Sequence, residues 1–168
     1  MSFSVSFNSA VPSGAVAPAS ASLEAGDGYE TLVMEACSAL SDAGGSNFHI
    51  GGFGSEEWPL DVAYDLSAFM EQLPSLLVGV RDQREVEVDL YSQGIERNLT
   101  FHPSGDLVMI HCESRTNWVP NPEHESIART ELVAMLSKLA EDFARALKVI
   151  NSELSKIAPF ERWLEGEV

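Results

Sequence analysis

Three features of the sequence predict an α+β fold, in which an antiparallel β-meander is packed on one face by helices and followed by a long C-terminal helix. Apolar and polar residues alternate between residues 85 and 113, as is typical of strands with one buried face. Apolar residues recur at helical spacing before and after that segment. With 168 residues, of which 45% are hydrophobic, the chain is long enough to form one domain with its own core.

The first 28 residues are predicted to form an N-terminal strand and a flexible Ala/Ser-rich segment, and residues 29–168 a single α+β domain. Phe3, Val5 and Phe7 alternate with serines, as in a strand. Residues 10–28 are mostly Ala, Ser, Gly and Pro, a composition that buries little surface. Two interpretations of the first residues stay open: an edge strand pinned across this segment, or a disordered terminus.

The segment before the meander is predicted to contain two helices and one strand. Apolar spacing indicates a helix from Tyr29 to Leu40, and a strand is predicted over residues 47–53. A second helix is predicted from Asp65 to Val80, with Asp65 as its N-cap. Pro74 lies inside this helix and is expected to kink or divide it.

The meander is predicted to consist of strands over residues 85–91, 95–102 and 107–113, joined by two-residue turns. Turns centred on Gln93-Gly94 and Ser104-Gly105 place Val88 opposite Leu99, and Leu99 opposite Ile110. One face is then apolar and the other polar. The polar face holds Glu85, Glu87, Asp89, Tyr91, Glu96, Asn98, Thr100, His102, Leu107, Met109, His111 and Glu113.

After a polar loop that contains Trp118, Pro120 and Pro122, a third helix is predicted over residues 127–156. Its apolar stripe has near-heptad spacing and comprises Leu132, Leu136, Leu139, Phe143, Leu147, Ile150 and Leu154. Pro159 is expected to end this helix, and a short helical tail is predicted around residues 160–164.

The charge balance restricts the classes of partner. The chain has 26 acidic residues against 10 basic ones, a formal net charge of −16, and the first basic residue is Arg81. Nucleic acids and anionic membrane surfaces attract cations, so neither is an expected partner. A basic protein is the expected partner, because opposite charges accelerate encounter.

Two regions are the candidate partner-binding sites. The polar face of the meander contributes Glu85, Glu87, Asp89, Tyr91, Glu96 and Met109, and a second acidic cluster contributes Glu56, Glu57, Trp58 and Asp61. Tyr91, Met109 and Trp58 are the expected apolar anchors among the charges. The alternatives are that the sheet face is simply solvated and that Trp58 fills the core. Trp118 is likewise either a further anchor or a residue that fills the core.

No catalytic, cofactor or metal site is expected, and the chain is not expected to be an enzyme. The four histidines form no ligand-spaced pair, and Cys37 and Cys112 form no Cys-x-x-Cys. Cys112 follows His111 in a strand, so the thiol and the imidazole are expected to point to opposite faces. Free buried thiols, and the absence of a signal-peptide or membrane-spanning pattern, predict a reducing cytoplasm.

The second half of the chain resembles immunity proteins of bacterial polymorphic toxin systems. The resemblance lies in the strand pair Leu90–Phe101, in the following segment Cys112–Trp118 and in the Leu-rich final helix. It implies a small acidic α+β protein that covers the active site of a cognate toxin, often a nuclease or a nucleic-acid deaminase with a basic cleft. It implies no catalytic residue.

The alternative function is an acidic secretion chaperone that holds an extended segment of an effector protein. Such a chaperone would normally dimerise, with the near-heptad helix as its seam. The alternative for that stripe is packing on the sheet. Monomer and homodimer both stay open.

Overall fold

The computed structural model describes residues 2–10 and 28–168 of the chain. The elements in chain order are β1 (Ser4–Ser9), α1 (Tyr29–Ala43), β2 (Ser46–Gly51), a π-helical turn (Val62–Leu66), α2 (Ser67–Arg81), β3 (Val86–Leu90), β4 (Arg97–Ser104), β5 (Leu107–Ser114), β6 (His124–Ala128), α3 (Arg129–Ile150), a 3₁₀ turn (Leu154–Lys156) and α4 (Phe160–Leu164). In the described part of the chain, no helix is both long and apolar enough to cross a membrane.

The α+β fold is confirmed, with an antiparallel four-stranded sheet in the order β3-β4-β5-β6 and a separate antiparallel pair, β1-β2. α2 packs against β3 and β4, while α3 packs against β5, β6 and β1. The helices therefore lie on one face of the four-stranded sheet, called the inner face here. Its buried side chains include Val88, Leu90, Leu99, Phe101, Val108, Ile110, Cys112 and Ile127.

The structure agrees with the first interpretation of the N-terminus, in which these residues form a strand. β1 pairs with β2 so that Val5 lies opposite Ile50 and Phe7 opposite Phe48. The inward side chains of β1 are about 2% exposed. The Phe3 ring meets the Phe101 ring edge-on, with centroids 5.9 Å apart, which joins this terminus to the larger sheet. Residues 11–27, which contain most of the predicted flexible segment, lie outside the described residues.

Of the two expected effects of Pro74, division of the second helix is wrong, because α2 is continuous from Ser67 to Arg81. A proline at position 74 removes the N–H that would bond the carbonyl of Met70. The hydroxyl of Tyr29 donates to that carbonyl at 2.6 Å instead. The hydrogen bond that the proline removes is thus replaced from α1.

The helix start also differs from the prediction. The N-cap is Asp61, whose Oδ1 accepts from the backbone N–H groups of Tyr64 (2.6 Å) and Asp65 (3.2 Å). Asp65 is therefore not the cap. Its side chain is buried, with 4% exposed. The π-helical turn between Asp61 and α2 shifts the start of helical structure upstream of the predicted residue.

The predicted register is confirmed for β3 and β4 and is wrong by two residues for β4 and β5. Val88 lies opposite Leu99, but Leu99 lies opposite Cys112 rather than Ile110. The β4-β5 hairpin continues to Ser104 opposite Leu107, so its turn is Gly105-Asp106. A two-residue shift preserves the side-chain alternation, so each residue keeps its predicted face.

The prediction missed β6, since residues 124–128 were assigned to the polar loop and to the start of the third helix. Ile127 points inward, opposite Val108. α3 spans Arg129–Ile150, shorter at both ends than the predicted 127–156, and Leu154 lies in the following 3₁₀ turn. This strand depends on its pairing with β5, which the local sequence pattern does not reveal.

We expect Gly79→Ala to destabilise the protein, although alanine is normally the better helix former. A Cβ atom at position 79 would lie 1.9 Å from Cγ2 of Val86 on β3. The overlap should lower the free energy of unfolding by about 1–3 kcal/mol, measured by urea denaturation.

The control for this clash is Gly79→Ala combined with Val86→Ala, which removes the obstructing methyl group. The double variant should lose clearly less than the sum of the two single losses. Additive losses would show that the close approach of α2 and β3 is not the cause.

Candidate protein-binding surface

The predicted polar face of the meander is the outer face of the four-stranded sheet, on the side away from the helices. Its side chains are exposed or half-buried, whereas those of the inner face are buried. The outer face comprises Glu87, Asp89, Asn98, Thr100, His102, Leu107, Met109, His111, Glu113, His124 and Ser126, with Glu85, Tyr91 and Glu96 at the strand ends. β6 adds His124 and Ser126, which the sequence prediction missed.

Three of the predicted carboxylates on this face have partners within the chain. Glu85 Oε2 lies 2.7 Å from His102 Nδ1, and Asp89 Oδ1 accepts from Arg115 Nη2 at 2.7 Å. The amide of Asn98 donates to Glu87. Exposed pairs of this kind contribute little to folding stability. They do hold the carboxylates in place, so a partner would meet them already oriented.

The outer face also exposes apolar surface. Leu107 is 55% exposed and Met109 50%, and both lie on β5. Tyr91 is 55% exposed at the end of β3, and its hydroxyl donates to Glu71 Oε1 at 3.0 Å. Partial burial, together with the bond to Glu71, raises the pKa of Tyr91, so the phenol stays protonated. Tyr91 and Met109 are therefore accessible, as an anchoring role requires.

The second predicted region is corrected by the structure. Trp58 is 1% exposed, so its ring fills the core and cannot anchor a partner. Glu56 and Glu57 are exposed in the turn after β2. Asp61 uses its carboxylate to cap the π-helical turn. Among the described residues, the carboxylates of Glu56 and Glu57 have no partner, and with only these two available the cluster is a weaker candidate than the outer face.

Sequence reasoning missed a buried arginine that holds two tryptophans together. The guanidinium carbon of Arg97 lies 3.6 Å from the ring centroid of Trp118 and 4.3 Å from that of Trp58. Arg97 is 4% exposed, and burial lowers its pKa. The available signal was the spacing of Arg97, Leu99 and Phe101, which occupy every second position of β4 and therefore share the inner face. Trp118 is half-buried over this stack.

Glu125 of β6 joins the same corner of the molecule. It is 8% exposed, and its Oε1 accepts from the backbone N–H of Phe53 at 2.6 Å. The backbone N–H of Asn121 donates to the carbonyl of Phe53 at 2.9 Å. The loop after β2 and the loop before β6 are therefore bonded to each other beside the Arg97 stack.

The two cysteines are free and buried, as predicted. Burial raises the pKa of Cys112 to about 12, and it raises the pKa of Cys37 as well. Both thiols are therefore protonated at neutral pH and unreactive. Cys112 is buried on the inner face and His111 lies on the outer face, so the two do not form a nucleophile–base pair.

Two of the four histidines lie together on the outer face. The His111 and His124 rings stack across β5 and β6 with centroids 4.5 Å apart. Within residues 2–10 and 28–168, no three side chains of the His, Cys, Asp and Glu types are grouped so that they could hold a metal ion. The outer face thus offers charge, hydrogen-bond acceptors and apolar area, which are the means of protein recognition.

No protein-family model matches the sequence, and no significant match was found among curated proteins or among solved structures.

Asp65 should make stability depend on pH. Burial raises the pKa of its carboxyl group, although bonds from the Asp61 N–H and from Ser92 oppose this. At pH values between the Asp65 pKa of the unfolded chain and the higher pKa of the folded protein, the native state binds more protons than the unfolded state. The free energy of unfolding therefore falls as pH rises through this range. An asparagine at this position cannot titrate, so Asp65→Asn should gain stability relative to the parent as pH rises from about 4 to about 7.

Urea unfolding of both proteins across this pH range measures the difference. A difference between the two proteins that does not change with pH would contradict the assignment.

Arg97→Ala should lower the free energy of unfolding by about 2–4 kcal/mol, because it removes two ring contacts and leaves a cavity beside Trp58 and Trp118. Arg115→Ala is the matched control, since its exposed pair with Asp89 should contribute less than about 1 kcal/mol. Unfolding followed by tryptophan fluorescence tests both variants. Equal losses would show that the stack does not join the two loops.

Proposed function

We propose that this chain is an immunity protein that neutralises a basic toxin domain, a nuclease or a nucleic-acid deaminase, by binding it through the outer face. The observation that carries the proposal is the sheet face that the described residues leave uncovered, which carries both oriented carboxylates and the exposed side chains of Tyr91, Leu107 and Met109. The resemblance in the second half of the chain favours the same role.

The charge of the outer face suits a cleft that binds nucleic acid. Five of its residues are carboxylates, namely Glu85, Glu87, Asp89, Glu96 and Glu113. Arg115, at its margin, is already engaged by Asp89. A cleft that binds phosphates presents lysine and arginine side chains. Carboxylates placed where phosphates would lie compete directly with the substrate.

The apolar side chains supply the part of the affinity that charge alone does not. Long-range attraction mainly accelerates association and weakens with salt. Desolvated anchors mainly slow dissociation. Tyr91 and Met109 are the proposed anchors, while Leu107 extends the apolar area at the hairpin end of β5. The proposed inhibitor acts in the cytoplasm by occlusion and needs no catalytic residue of its own.

The secretion-chaperone alternative has less support. Its expected dimer seam was the near-heptad stripe of the last long helix. The stripe residues of α3, from Leu132 to Ile150, are all at most 3% exposed within a single chain. The stripe is therefore used for packing in the fold and is not free to pair with a second helix.

The experiment that tests the function is a tagged pull-down from the native host at moderate salt, followed by an activity assay of the captured protein. A stoichiometric basic domain with nuclease or deaminase activity that the pure chain abolishes is the expected result. A captured effector with a disordered segment would favour the chaperone instead. Absence of inhibition would overturn the immunity role.

Replacing Glu85, Glu87 and Asp89 with lysine should slow association with that toxin domain about tenfold or more at low salt and leave the fold intact. The change reverses three of the five carboxylates of the outer face, so steering is lost. Stopped-flow or surface-plasmon measurements over a salt series give the rate.

A matched control carries the same change of net charge elsewhere. Glu161, Glu165 and Glu167 are exposed near the C-terminus, and their replacement with lysine should slow association much less. If the two triple variants behave alike, net charge and not the outer face steers the partner.

A further inference from the structure

The two sheets have four edges, and each edge of the smaller sheet is bonded at one point to another part of the chain. At the edge of β1, the backbone N–H of Val5 donates to Met135 Sδ on α3 at 3.2 Å. At the edge of β2, the carbonyl of Ile50 accepts from the backbone N–H of Trp58 at 2.9 Å. Covered edges cannot pair with another strand.

The β3 edge of the larger sheet is blocked by a side chain. The Gln72 amide donates to the carbonyl of Asp89 at 2.9 Å and accepts from the N–H of Asp89 at 2.9 Å. This pair of bonds reproduces those of a neighbouring strand. An incoming strand would have to displace the glutamine.

Within residues 2–10 and 28–168, the β6 edge has no such cover. The N–H of Cys112 donates to the carbonyl of Glu123 at 2.9 Å, which makes residues 112 and 123 a hydrogen-bonded pair. Pairs alternate along an antiparallel ladder, so the N–H and C=O groups of His124 and Ser126 point away from β5. Both residues are exposed, and among the described residues neither backbone N–H donates to a covering group.

We propose that β6 is a homodimer interface, at which a second copy of this chain pairs antiparallel with β6 about a two-fold axis at Ser126. Ser126 is the midpoint of the strand His124–Ala128. In this register Ser126 faces Ser126 of the second copy, and His124 faces Ala128 of the second copy. The outward backbone groups of both strands then meet one another, and the two sheets continue as one.

The residues that flank β6 make this register self-complementary in charge. Glu123 immediately precedes the strand, and Arg129 immediately follows it. Pairing about Ser126 places Glu123 opposite Arg129 of the second copy, and the symmetry repeats this pair. Arg129 Nε donates to the carbonyl of Gly105 at 2.9 Å, so the terminal guanidinium nitrogens, which have no partner among the described residues, are the groups left to bind Glu123. The next register, with His124 opposite Ser126, places Glu123 opposite Ile127 and forms no ion pair. The register with Ser126 opposite Ala128 would place Arg129 opposite Glu125, but Glu125 is 8% exposed and already accepts from the backbone N–H of Phe53. The two-fold register at Ser126 is therefore the one that pairs Arg129 with an accessible carboxylate.

Side-chain size at the seam agrees with this arrangement. Ser126 and Ala128 are small, and their neighbours on β5 are Met109 and Leu107. Across the seam, Met109 and Ser126 of one copy would lie in a single row with Ser126 and Met109 of the second copy. The exposed apolar side chains of β5 would then flank the seam on both sides.

The area buried at the seam and the net charge of each copy limit the affinity of the dimer. A five-residue strand pair buries less area than the ~1,200–2,000 Å² of a typical stable interface, so we expect a micromolar dimer. Each copy carries a net charge of −16. The measurement therefore belongs at ~0.15 M salt, where the Debye length is about 8 Å and long-range repulsion is screened.

Sedimentation equilibrium of the full chain over a concentration series tests the proposal. The expected result is a reversible species of twice the 18.3 kDa chain mass. Ser126→Pro should weaken the dimer at least about tenfold, because proline removes the outward N–H and keeps the bonds to β5. Ser126→Ala retains the N–H and should dimerise like the parent, while circular dichroism verifies that all variants are folded.

A charge exchange tests the register. Glu123→Arg and Arg129→Glu should each weaken the dimer several-fold, and the double variant should recover the parental affinity because each pair is restored with reversed sign. A monomer at all concentrations would overturn the proposal. So would a dimer that Ser126→Pro leaves intact, since that dimer would use another surface.

Discussion

Among the described residues, helices cover the four-stranded sheet on one face only, and this one-sided burial governs the rest of the structure. On the inner face, α2 and α3 enclose Leu99, Phe101 and Ile110 at 0% exposure. Burial of that apolar area drives folding of the domain. The alternation that places these residues inward also places Asp89 and Met109 outward. The core and the candidate binding surface are therefore two consequences of one pattern.

The inner face ends in a polar corner that apolar packing alone does not explain. Arg97 lies against the rings of both Trp58 and Trp118, which also meet each other edge-on, and Glu125 accepts a bond from the loop after β2. Buried charged groups are tolerated only where contacts offset their desolvation. Here the contacts join two loops from distant parts of the chain. The stack thus links the loop after β2 to β4 and to the loop before β6.

The surfaces proposed for the two kinds of association use different groups and adjoin each other at Leu107 and Met109. The toxin-binding proposal uses the side chains of the outer face, whereas the dimer proposal uses the backbone edge of β6. The first depends on carboxylates such as Glu85 and Asp89, and the second on the outward N–H and C=O groups of His124 and Ser126. Each can fail without the other. Together they assign one role to the side chains of the sheet and another to its backbone.

The sequence by itself determined the α+β class, the inner and outer faces of the meander, the N-terminal alternation and the acidic character of the surface. These follow from local periodicity and composition, and a two-residue error in the β4-β5 register left the faces unchanged because alternation has period two. Only the tertiary structure decided that Trp58 is buried, that Pro74 is accommodated by Tyr29, and that β6 forms the last strand of the larger sheet. Each of these depends on a contact between residues far apart in the chain, and local sequence patterns do not determine which distant residues come into contact.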